Sequence, residues 1–98
     1  MKRMHMTVEL RDGTILRADS TSADYMKYEQ TAKRHKWGSM QENPAIWEIF
    51  VGWCALVRTG QYTGSWEQFA NPTDPDAVNV DGDLFDADPT LSGPGVGG

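Results

Sequence analysis

The segment that most constrains the fold is a run of apolar residues at 45–57, with the sequence AIWEIFVGWCALV. Asn43 and Pro44 precede it, and this pair is typical of a helix start, with Asn as the N-cap and Pro at the first helical position. Only Glu48 and Gly52 interrupt the apolar residues, so the predicted helix is apolar on nearly every side. Because such a helix is buried on most of its faces, we expect it to be the central element of the domain.

The length and the charge distribution limit what can surround this helix. A chain of 98 residues with a net charge of −5 accommodates one domain. All nine Lys and Arg residues lie within 1–70, whereas 71–98 contains six Asp residues and no basic residue. This second segment has few large apolar residues, so it cannot bury enough surface to offset the entropy of ordering. The sequence therefore predicts a folded domain over 1–70 and a disordered acidic tail containing Pro and Gly over 71–98.

A β-hairpin is predicted near the start of the chain. Apolar and polar residues alternate over 6–11, which is typical of a half-buried strand. A two-residue loop would place Leu16 on the polar face, whereas a three-residue loop at 11–13 pairs Val8 with Leu16 and gives one apolar face. We expect the three-residue loop, with Gly13 in the left-handed conformation.

Two further helices complete the predicted domain. Thr21 and Asp24 resemble a capping box that opens a helix over about 22–36, and Trp37 just beyond it is expected to fold back onto the core. A second capping box, of Ser and Gln, opens a short helix at 65–70. The predicted fold class is α+β, with a small N-terminal β-hairpin packed on a three-helix unit whose central helix is apolar.

Residue types suited to catalysis are few, with two His residues and one Cys. Cys54 lies in the apolar helix, where a thiol behaves as a small hydrophobe more often than as a nucleophile. The sequence contains no phosphate-binding glycine loop and no zinc-ligand spacing. It therefore predicts a protein that is not an enzyme and that carries no cofactor.

One acidic segment at 79–83, NVDGD, resembles the middle of an EF-hand loop. With Gly82 at the sixth position of such a loop, the first position would be Ala77, which has no ligand oxygen. The twelfth position would be Asp88, and the proline after it prevents the helix that an EF-hand requires. The pattern argues against a calcium site, and we expect no bound metal.

The apolar residues of the central helix form two stripes, which exceed what a hairpin and two modest helices can cover. One stripe contains Ile46, Ile49, Trp53 and Leu56, and the other contains Trp47, Phe50, Val51 and Cys54. We expect one stripe to contact another protein, with Trp47 as its anchor, because aromatic residues dominate the binding energy of interfaces. The predicted partner-binding residues are Trp47, Phe50, Val51, Cys54 and Trp66. Pairing of two copies through the same stripe is the alternative, and the sequence leaves open which face is exposed.

The remaining composition bears on the compartment and on the class of partner. The acidic balance argues against nucleic-acid binding, which depends on clustered Lys and Arg. A single cysteine suits a reducing compartment. No apolar run is long enough to cross a bilayer, and no apolar region of a signal peptide follows the first basic residues. A cytoplasmic protein without membrane contact is expected.

The order of the motifs resembles that of a known family. A helix with D-Y-M-K-Y-E and R-H-K-W is followed by W-E-I-F-V-G-W-C-A-L-V-R-T-G, by S-W-E-Q-F, and by an acidic tail that ends in glycines. Over about residues 6–90, this pattern is similar to the small tail assembly chaperones of long-tailed, siphovirus-type phages, especially those of actinobacterial phages.

The resemblance implies a role in virion morphogenesis in the host cell cytoplasm. Proteins of this family bind the tape measure protein, keep its apolar helices soluble, help to recruit the tail tube protein, and are absent from the finished virion. Many also have a longer form made by ribosomal frameshifting. Two other classes remain open from the sequence: a structural head–tail connector or tail-terminator protein, and a small acidic inhibitor that mimics DNA.

Overall fold

The computed structural model describes residues 2–86, with the side chains of 3–83. The chain folds into a three-stranded antiparallel sheet in the order β2-β1-β3, with three helices packed on one of its faces. The predicted α+β class, with a hairpin on a three-helix unit, is confirmed. The elements in chain order are β1 (Lys2–Leu10), β2 (Ile15–Asp19), α1 (Ser22–His35), α2 (Pro44–Arg58), α3 (Trp66–Phe69) and β3 (Ala77–Asp86).

The hairpin of β1 and β2 has the predicted three-residue loop. Val8 pairs with Leu16 and Met6 pairs with Ala18, so the apolar side chains of the two strands share one face. Gly13 has a φ of 91°, a left-handed conformation that suits glycine, and its N–H donates to the carbonyl of Leu10 at 2.9 Å. The apolar alternation therefore determined the strand register correctly.

The third strand, β3, was not predicted. Ala77–Asp86 pairs antiparallel with β1, with Val80 opposite Val8 and Gly82 opposite Met6. The prediction of a disordered tail that begins at residue 71 is therefore wrong for these residues. The edge of β1 that faces away from β2 presents N–H and C=O groups that need partners, and β3 supplies them whatever its side chains are. Residues 87–98 of the predicted tail lie outside the described residues.

A bulge adjusts the register of β3. Glu9 pairs with Asn79 and Leu10 pairs with Ala77, so Val78 is an extra residue in the ladder. Beyond it, Val80 packs against the buried cluster of Val8, Leu56 and Phe69. The bulge thus places the side chain of Val80 on the core side of a strand that has few large apolar residues.

Helix α2 is the central element, as predicted, and it contacts every other helix and strand of the described chain. Gly52 faces the sheet, where a Cβ added to it would lie 3.2 Å from Cγ1 of Val80 and 3.4 Å from Cε of Met6. The missing side chain lets the helix approach the strands closely. Six consecutive or near-consecutive residues of α2 are buried: Phe50, Val51, Gly52, Cys54, Ala55 and Leu56.

The ends of α1 and α3 follow the capping signals of the sequence. Asp24 accepts a hydrogen bond from the backbone N–H of Thr21 at 2.9 Å, and Ser65 with Gln68 forms the predicted capping box of α3. Helix α1 ends at His35, and its C-cap residue Lys36 has a left-handed φ of 57°. Trp37 then packs against the core, as expected.

Candidate protein-binding surface

The five predicted partner-binding residues do not form one exposed stripe. Phe50, Val51 and Cys54 are 2%, 0% and 7% exposed, so their assignment to a partner surface is wrong for this fold. The expectation that one whole apolar stripe of α2 lacks cover within the domain is also wrong, because each stripe contains buried residues. Helix α1 packs along α2 on one side, and β3, which was not predicted, covers part of it on another.

Trp47 is partly buried at the start of α2 and packs against α1. Its ring stacks on that of Tyr25, with the centroids 5.8 Å apart and the planes at 15°. Its outer side lines a shallow cleft together with Met40 and Pro44. Trp47 therefore helps to join α1 to α2 and leaves one side facing the surface.

Trp66 belongs to a cluster of aromatic rings around the buried Phe50. The ring of Phe50 lies 5.0 Å from Trp66, 5.4 Å from Trp53 and 5.6 Å from Trp37. The three tryptophans are partly exposed, whereas Phe50 is not. We call Trp37, Trp53 and Trp66 the tryptophan surface. Edge-to-face rings of this kind are held rigidly, and a rigid aromatic surface loses little entropy when it binds a partner.

A groove between α1 and α2 adjoins the tryptophan surface. It has a volume of about 270 Å³, and its walls are formed by Ala23 and Lys27 on α1 and by Trp53 and Val57 on α2. Val57 is 40% exposed. We call this groove the interhelical groove. Trp53 lines it and also belongs to the tryptophan surface, so the two features form one continuous apolar area.

Cys54 lies at the base of the interhelical groove as a neutral, apolar group. Burial raises the pKa of its thiol from 9.0 to about 12, so the thiolate is disfavoured at neutral pH. Its role as a small hydrophobe, predicted from the sequence, agrees with this burial.

An ion pair closes one end of the groove. Asp24 is 3% exposed, and its carboxylate accepts hydrogen bonds from Nε and Nη2 of Arg58 at 3.2 and 3.0 Å. These bonds raise the pKa of Arg58. The same guanidinium donates to the carbonyl of Asp19 at 2.8 Å, so Arg58 joins α2 to both α1 and β2.

Sequence reasoning missed Trp37 and Trp53 as surface residues. Trp53 was placed in a core stripe because residues that share a helix face were assumed to share one degree of burial. The signal that could have found them is the presence of four tryptophans, which is more than one small core accommodates fully buried.

The described residues also bear on metals and membranes. Within 2–86, no group of three or more His, Cys, Asp or Glu side chains has an arrangement that could hold a metal ion. The segment that resembles an EF-hand loop forms part of β3 instead. Among the helices of this same range, none combines the length and apolar character that a membrane crossing requires.

Comparison of the sequence with models of protein families finds no match, and comparisons with curated proteins and with solved structures find none either.

Proposed function

We propose that the chain is a phage tail assembly chaperone that binds an apolar helical segment of the tape measure protein and assists assembly of the tail tube. The observation that carries the proposal is the position of Trp53, which joins the interhelical groove to the tryptophan surface and is partly exposed in both. The resemblance of the motif order to this family supplies the identity of the client.

The shape of the groove suits a helix as its occupant. An amphipathic helix binds by placing apolar side chains, spaced three and four residues apart, into a groove between helices. Val57 and Trp53 lie four residues apart on α2 and face the groove together. Met26, which is 62% exposed, lies three residues after Ala23 on α1 and extends the apolar area along that helix.

The rim of the groove favours a client with acidic residues beside its apolar stripe. Lys27 is exposed on α1, and Arg58 lies at the other wall. Because Arg58 is already paired with Asp24, Lys27 is the residue that is better placed to meet a carboxylate of the client. Charges at the rim of an interface affect the association rate and the orientation more than the affinity.

Co-expression with the tape measure protein tests the proposal. The chain should raise the soluble fraction of the client, and Val57→Lys should abolish this effect by placing a charge in the groove. Ile15→Lys is the matched control, because Ile15 is 44% exposed on β2, away from the groove. If the client is equally soluble without the chain, or if both variants act alike, the proposal fails. Recovery of the chain from purified virions would favour the structural classes instead.

A further inference from the structure

The two edges of the sheet differ in how their backbone groups are satisfied. On the β2 edge, the carbonyl of Arg17 accepts a hydrogen bond from Gln61 and that of Asp19 accepts one from Arg58, each at 2.8 Å. These side chains, which follow or end α2, block the approach of another strand. The β2 edge is therefore closed.

The β3 edge has a different arrangement. The N–H of Gly82 donates to the Glu48 carboxylate on α2 at 3.0 Å, so this N–H points away from β1. Donors alternate in direction along an antiparallel strand, which means that the N–H of Val80 and that of Leu84 point to the same outer edge. Within residues 2–86, β3 is the last strand on its side of the sheet.

An apolar cleft runs beside this edge on the helical side of the sheet. It has a volume of about 380 Å³ and lies between β3, the first half of α2 and the end of α3. Its apolar lining includes Ala45, Ile49, Phe69, Ala70, Val78 and Val80. A strand added to β3 would direct every second side chain into this cleft.

The other face of the same strand is acidic. Asp81 and Asp83 are exposed on it, opposite Thr7 and His5 of β1. No Lys or Arg follows Arg58 in the sequence. An added strand whose basic side chains alternate with apolar ones would therefore place its charges beside Asp81 and Asp83, and its apolar groups in the cleft.

We propose that the β3 edge binds an extended segment of a partner protein, with alternating basic and apolar residues, as a fourth strand of the sheet. In the unbound protein the Glu48 carboxylate accepts a hydrogen bond from the N–H of Gly82. On binding, a carbonyl of the partner replaces Glu48 as the acceptor. A second copy of this chain suits the edge less well, because antiparallel pairing of two β3 strands brings their aspartates together. The proposal is independent of the helical client, which binds on the opposite side of α2.

A short synthetic peptide of alternating lysine and valine tests this proposal with the full-length protein. Fluorescence anisotropy should show binding, which Asp81→Asn with Asp83→Asn weakens by about tenfold. The matched control, Glu29→Gln with Glu67→Gln, removes two exposed charges on helices and should leave the affinity unchanged. On binding, hydrogen exchange at the amide of Val80 should slow.

Further controls separate strand addition from charge attraction. The same peptide with N-methyl groups on its pairing edge cannot complete the ladder and should not bind, and a peptide of alternating glutamate and valine should not bind either. The proposal is overturned if the N-methylated peptide binds equally well, if the Val80 amide exchanges as before, or if the Asp variants have no effect. Self-association in sedimentation that the lysine–valine peptide abolishes would assign the edge to a second copy and also overturn the proposal.

Discussion

Arg58 lies at the end of α2 with its guanidinium against the carboxylate of Asp24 on α1, and the two donor–acceptor distances are 3.2 and 3.0 Å. Asp24 is 3% exposed, whereas the side chain of Arg58 is 36% exposed. The buried carboxylate therefore depends on a partner that is still in contact with water. This relationship fixes the spacing of the two helices that form the groove.

Removal of the arginine should destabilise the domain. Arg58→Ala leaves the buried carboxylate of Asp24 without its ion-pair partner, and we expect a loss of about 2–3 kcal/mol in the free energy of unfolding. This is below the range of about 3–5 kcal/mol for a broken, fully buried pair because Arg58 is partly solvated. Urea denaturation measures the change, and Lys27→Ala is the control for loss of a positive charge. Equal stability of Arg58→Ala and the wild type would contradict this account.

The close approach of α2 to the sheet gives a second prediction. Gly52→Val would place methyl groups against Val80 and Met6, and overpacking of this kind costs about 1–3 kcal/mol. Thermal unfolding should show the loss. Valine has a higher helix propensity than glycine, so a loss of stability must come from overpacking. Ala45→Val, at an exposed position of the same helix, shows the effect of a β-branched residue without overpacking. A similar small change in both variants would mean that the sheet can move away from the helix.

The hairpin and the central helix could be predicted because their signals are local. The Asn43-Pro44 pair marks the start of α2, and the choice between two hairpin loops depended only on whether Val8 and Leu16 share a face. Capping boxes also act within one helical turn. These signals need no knowledge of the distant chain.

The third strand could not be predicted in the same way. Its pairing with β1 joins segments from opposite ends of the described chain, and its stability comes from backbone hydrogen bonds that composition does not reveal. The error affected the candidate site, because β3 covers apolar surface of α2 that was expected to need a partner. Periodicity showed which residues share a side of α2 but not what packs on that side, so Phe50 was misplaced.

Truncation tests the role of β3 in the domain. A chain that ends at residue 76 lacks the strand that pairs with β1 and the Val80 side chain of the core, so it should unfold with far less cooperativity. A chain that ends at residue 86 retains both and should unfold cooperatively. Circular dichroism during urea titration distinguishes them. Equal cooperativity of the two chains would show that the folded domain does not need β3 and would support the predicted domain boundary at residue 70.

Cys54 predicts a dependence of stability on alkaline pH. Its thiol pKa is raised from 9.0 to about 12 in the folded protein. The stability contributed by the neutral, buried thiol is therefore complete below pH 9 and is lost as the pH rises from 9 towards 12. The expected slope is about 1.4 kcal/mol per pH unit. The pKa of Tyr62 is also raised, from 10.0 to about 12, so Tyr62 adds a loss of stability only above pH 10.

The interval just above pH 9 therefore isolates the cysteine. Cys54→Ala should be less stable than the wild type at neutral pH because it leaves a small cavity, yet it should lack the decline between pH 9 and 10. Urea denaturation over this range measures both effects. A decline of the same slope in the variant would show that another group titrates.

The most direct test of the central claim is site-specific photo-crosslinking in cells that also produce the tape measure protein. A photoreactive residue replaces Val57 in the groove or, in the control, Ile15 on the other side of the domain. The account predicts a covalent adduct with the tape measure protein from position 57 and none from position 15. An adduct from position 15 alone, or none from position 57, would contradict it.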